Sequence, residues 1–157
     1  MSFDLNINAL LAYLRENQQE PELQKATDQV FITYQVQGYE VPVFFLARTE
    51  SELLQIVAYL PYQLPQKTFG EVARMLHILN KELDMPGFGM DETEKLMFYR
   101  SVIPCPDGKV SKRLFNMHLG TTRIVCDTFM HAIGMIVSGT MTVDEVLKDK
   151  TGPSDHA

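Results

Sequence analysis

Basic residues are few and dispersed in this sequence. Of 157 residues only 14 are Lys or Arg against 20 Asp or Glu, which gives a formal charge of −6. The densest basic cluster is Lys109, Lys112 and Arg113, too small for the stripe that neutralises nucleic-acid phosphates, so no nucleic-acid partner is expected. Long apolar runs are also missing. Val41 to Ala47 and Ile56 to Leu60 fall far short of the roughly 20 residues that span a bilayer, so no membrane association is expected. The first residues, MSFDLNINALLAYLRENQQE, carry Asp4 where a signal peptide wants positive charge, and the chain is expected to stay in the cytoplasm.

Cysteine is scarce as well. Cys105 and Cys126 make neither a disulfide framework nor a CxxC site and read as free thiols. His77, His118, His131 and His156 show no HxxxH or HxH spacing and no cysteine at ligand distance, so neither a metal nor another cofactor is expected. Gly87-Phe88-Gly89 precedes a strand and lacks the Lys-Ser/Thr of a phosphate loop; its glycines read as turn and bulge residues. Asp91, Glu92 and Glu94 fall at a hairpin tip, where solvation keeps carboxylates ordinary. Two chemical candidates are left. Asp127 and His131 stand four apart on a predicted helix, and Cys105 lies in the turn IPCPDGK near Lys109. A surface ion pair and a plain turn cysteine explain them without catalysis, so no catalytic residue is assigned.

What is present is periodicity. Ile7, Leu10, Leu11 and Leu14 recur at helical spacing behind Asn6 as a cap, predicting helix one over about residues 6 to 18. From Gln29 the period becomes two. Val30, Ile32, Tyr34 and Val36 share one face against Phe31, Thr33, Gln35 and Gln37, and Val41 to Arg48 alternate likewise after a turn at Gly38-Tyr39. Pro42 argues for an edge or a strand start. The segment from Thr49 to Pro65 fits a helix behind a Thr49/Glu52 capping box, but its β-branched content and flanking prolines favour a third strand. Thr68 and Glu71 form a capping box before helix two, which ends by Pro86-Gly87. Phe88 to Asp91 and Lys95 to Ile103 supply two more strands. Ser111 caps a long third helix to Ser138, stopped at Gly139, and a Thr142/Glu145 box opens a last short one. Residues 1–150 are thus expected to form one domain and 151–157 a disordered tail.

The order α-β-β-β-α-β-β-α predicts an α+β fold with a five-stranded antiparallel sheet packed by helices. Together with LxxLN (Leu76, Leu79, Asn80), GFGMD (Gly87 to Asp91) and FYR (Phe98 to Arg100), it resembles the YbjN family and the wider type III secretion chaperone-like fold, over about residues 5 to 140. The resemblance implies a dimer-forming module that serves either as a chaperone for secreted effectors or as a sensory transduction regulator, with helix two as the dimer element. On a helical wheel, Phe69, Val72, Ala73, Leu76, Asn80 and Leu83 face the sheet, while Met75, Ile78 and Leu79 widen the apolar arc. Met75, Ile78, Leu79 and Glu82 are therefore the expected homodimer contacts. A core helix would account for most of the apolar face of helix three. On the sheet, Phe31, Thr33, Phe44 and Leu46 face away from Val30 and Val43 and are the expected contacts for a protein partner, a secreted effector or a regulator. The reading is a non-enzymatic interaction module; the alternative is a regulator holding a small molecule between helix three and the sheet, near Arg100, Asp127 and His131.

Overall fold

The computed structural model describes residues 1–150, with side chains to 148. Its principal sheet has six antiparallel strands in the order β2-β3-β4-β5-β7-β6: Glu22–Gln24 (β2), Gln29–Val36 (β3), Tyr39–Arg48 (β4), Leu53–Tyr59 (β5), Phe88–Asp91 (β6) and Leu96–Pro104 (β7). A separate ribbon pairs Ser2–Asp4 (β1) with Lys109–Ser111 (β8). The helices are Ile7–Glu16 (α1), Phe69–Glu82 (α2), Lys112–Val137 (α3) and Val143–Lys150 (α4). The fold is α+β as expected, with six strands in place of five. β1, β2 and β8 have three residues each, too few to show a period. The expected tail, 151–157, lies outside the described residues.

Local chemistry places most boundaries. Asn6 Oδ1 accepts from Ala9 N at 2.8 Å to start α1, and Ser111 Oγ accepts from Leu114 N at 3.2 Å to start α3. Thr142 and Glu145 close a reciprocal box at α4, the Glu145 amide donating to Thr142 Oγ1 at 3.2 Å. Thr68 differs from expectation. Its hydroxyl does not cap α2 but donates to the Val137 carbonyl at 2.9 Å, tying the start of α2 to the end of α3. The β3–β4 turn is Gln37-Gly38, both at positive φ (51° and 83°), the conformation a two-residue hairpin requires. Pro42 lies within an internal strand, not at an edge. Its side of β4 faces β5, whose ladder begins only at Val43↔Ala58, so the missing N–H leaves no bond unmade.

The core lies on one face of the sheet. Val30, Ile32, Tyr34, Val41, Val43, Phe45, Leu54, Ile56, Tyr99 and Ile103 point to it, and α1, α2 and α3 cover it. Phe115 of α3 anchors the middle, stacked on Phe45 with centroids 5.6 Å apart and edge-on to Tyr13 of α1. Alternation sends every other residue of these strands to the far face, opposite the side that the described helices α1, α2 and α3 cover.

Candidate functional site

That far face carries a continuous aromatic stripe. Phe31 on β3 stacks on Phe44 of β4 at 5.1 Å, Phe44 meets Tyr59 of β5 edge-on at 5.6 Å, and Tyr59 meets Phe98 of β7 at 6.3 Å. Register creates the alignment, since Phe31 is opposite Phe44 and Tyr59 opposite Phe98. Val57, between Phe44 and Arg100 in register, is only 4% exposed yet outside the main core, so the stripe is a second apolar cluster. The Arg100 guanidinium lies 5.7 Å from the Phe98 ring centroid, placing a cation at the end of the stripe. Thr33 is exposed and Leu46 half-buried on the same face. All four expected partner-contact residues therefore share one surface. Val57, Tyr59, Phe98 and Arg100 complete it and were not anticipated, although the period of two in β5 and β7 carried the signal.

Beyond Phe98 the stripe meets a glycine. A Cβ at Gly89 would come 2.7 Å from the Phe98 ring, so the bare backbone of β6 lets the ring lie flat across it. Gly87 is more constrained still, because a Cβ there would stand 2.0 Å from the Arg100 carbonyl oxygen. Asn80 fixes this turn. Its Oδ1 accepts from Gly87 N (3.1 Å) and Phe88 N (2.9 Å), and its Nδ2 donates to Phe88 O (3.0 Å). The motif residues on α2 and β6 thus hold the edge of the sheet in place.

The expected dimer contacts on α2 need correction. Met75 and Leu79 are 2% and 3% exposed and belong to the core of the single chain. Ile78 is half-buried against that core, and Glu82 alone of the four is exposed. The cause is that α2 is flanked by α3, β6 and α4 instead of lying flat on the sheet. Its outer face is polar, with Arg74 paired to Asp144 of α4 at 3.0 Å.

The small-molecule site also fails to assemble. Arg100 faces away from the helices, whereas Asp127 and His131 lie on the outer side of α3, and they form no ion pair with each other among the described residues. Cys105 is buried, not an exposed turn thiol; its Sγ donates to the Ile103 carbonyl at 3.3 Å, and burial raises its pKa. Burial likewise pushes Cys126 up to about 12. Both are inert thiols at neutral pH. Among the described residues no cluster could hold a metal ion.

One polar pair lies beneath α3. His118 Nδ1 is hydrogen-bonded to Ser101 Oγ, and burial lowers the histidine's pKa below its ordinary 6.5. With no acidic partner for the imidazole among the described residues, this pair reads as a link between helix and sheet. Because the folded state disfavours the imidazolium, its stabilising contribution is present above pH 6.5 and lost as pH falls through the lowered folded pKa. Acidification from neutral pH should thus lower the urea midpoint of the wild type more than that of His118→Gln.

The chain matches the YbjN family, described as "Putative bacterial sensory transduction regulator", over residues 6–135. It belongs to the YbjN family. The crystal structure of the ExsC–ExsE complex contains a chain that aligns with a TM-score of 0.57 at 18% identity, covering 85% of this chain and 97% of that one. YbjN from E. coli aligns at 0.56 with 10% identity, over 87% and 92% of the two chains. No curated protein matches the sequence. These likenesses show that this YbjN-family chain shares the α+β fold of those two structures. No helix of the described residues is long and apolar enough to cross a membrane.

Proposed function

We propose that this protein is a non-enzymatic, cytoplasmic, homodimeric interaction module that holds a protein partner, a secreted effector or a regulator, on the uncovered face of its sheet. The observation that carries this reading is the aromatic stripe of Phe31, Phe44, Tyr59 and Phe98, continuous across four strands on the face opposite the described helices. A protein normally buries such a surface or uses it. Flat rings spaced along a rigid sheet offer contact area at little entropic cost, since each ring has only two side-chain torsions to fix. Arg100 at one end and Thr33 beside Phe31 add polar contacts at the rim, the arrangement that fixes a partner's orientation. The net charge of −6 keeps the free protein soluble and favours a segment of opposite charge.

The test is co-purification of tagged wild type from the native host beside Phe44→Arg and Thr33→Arg, with circular dichroism confirming that each variant folds. One partner in fixed ratio, retained by wild type and reduced at least tenfold by both substitutions, is expected. Retention of that partner by both folded variants would overturn the sheet-face reading.

A further inference from the structure

The reading above includes a homodimer, and the structure removes Met75 and Leu79 from the surface that would form it. We infer that two copies of the chain associate instead through α3, packed antiparallel along a seam that begins at Leu114 and ends at Thr128; this inference rests on the dimeric part of that reading.

Three of the large apolar side chains left exposed lie on this helix: Leu114 at 38%, Met117 at 52% and Ile124 at 67%. Among the described residues α1 and α2 expose none. The three fall with Thr121 and Thr128 at successive spacings of three and four residues (114, 117, 121, 124, 128). This is the 3.5-residue period by which one helix keeps a seam turned toward another helix. The side of α3 that faces the sheet is a different set, including Phe115, Thr122, Cys126 and Ile133, all buried. The exposed seam is thus additional to what the fold itself needs.

The flank of the seam decides the orientation. Arg113, Gly120 and Asp127 recur at seven-residue spacing on one side, all exposed, the positions that face each other in an antiparallel helix pair. A two-fold axis between Leu119 and Gly120 brings Arg113 of each copy beside Asp127 of the other. The same register sets Leu114 against Ile124 and Met117 against Thr121. Neither Arg113 nor Asp127 has an ion-pair partner within the described chain. At the axis, nothing lies within 4 Å of a Cβ placed on Gly120, so the two backbones can approach closely there. In a parallel pair this flank would oppose His118, Val125 and Ala132, which turn toward their own sheet, and the charges would go unmatched. The seam is self-complementary only when antiparallel, which commits its occupant to a second copy.

Sedimentation equilibrium at micromolar concentrations tests this with the full chain. Wild type is expected to be a dimer, Ile124→Glu a monomer, and Asp127→Arg at least tenfold weaker in association. The double variant Arg113→Asp/Asp127→Arg should recover the dimer, an outcome that general loss of folding cannot produce. A wild type that is monomeric throughout would overturn the dimer itself. A wild-type dimer that persists in Ile124→Glu, or that Ile78→Glu dissociates instead, would overturn the α3 seam and leave the dimer standing.

Discussion

Replacing Gly87 by alanine should destabilise the fold by about 3 kcal/mol, the upper end of what an inserted methyl group costs in a packed site. The new Cβ would stand 2.0 Å from the Arg100 carbonyl oxygen, and both atoms belong to backbone or are fixed to it, so no side-chain rotation relieves the overlap. Relief requires the turn before β6 to move away from β7, breaking the 2.9 Å bond from Arg100 N to Gly87 O. The loss should appear as a fall of roughly 6–12 °C in Tm for a domain of this size. The nearby Gly89 would meet only the ring of Phe98, which can swing outward, so Gly89→Ala should cost less stability while disturbing the aromatic stripe. A Gly87→Ala protein as stable as wild type would mean that the β6–β7 edge is not held as described.

The second large effect is expected at Asn80. Its three hydrogen bonds bind the end of α2 to the first residues of β6. Asn80→Ala leaves the Gly87 and Phe88 amides without their acceptor in a half-buried place. At about 1–3 kcal/mol per unsatisfied buried group, lessened by partial access to water, the loss should be about 2–3 kcal/mol. Asn80→Asp separates the contributions, because a carboxylate still accepts from both amides but cannot donate to the Phe88 carbonyl. It should retain more than half of the lost stability in urea unfolding. Hydrogen exchange at the Gly87 and Phe88 amides should accelerate in Asn80→Ala and stay slow in Asn80→Asp.

These two residues show what was legible in the sequence. LxxLN and GFGMD could be read as structural motifs, but that Asn80 joins them is a contact across a loop and has no local signature. Alternation in β3 and β4 was readable because each strand repeats its period several times, and it placed Phe31, Thr33, Phe44 and Leu46 on one face. Phe98 and Tyr59 were not placed beside them, since register between β5 and β7 depends on the intervening α2 and β6. Helix α2 misled for a different reason. A wheel reports how wide an apolar arc is, not what covers it, and α2 packs on α3, β6 and α4 with Met75 and Leu79 buried. On α3 the same ambiguity ran the other way: a core role accounts for Phe115 and Ile133, while the three-and-four spacing of Leu114, Met117 and Ile124 stands out only once the buried face is known.

On the proposed function, the partner covers the aromatic face of the sheet and leaves the helical face free. The most direct measurement is hydrogen exchange on the purified protein with and without its co-purified partner. Protection is expected in β3, β4 and β7 around Phe31, Phe44 and Phe98, with the polar outer face of α2 unchanged. Protection confined to the helices, with these strands exchanging as in the free protein, would contradict the assignment of this face to partner binding.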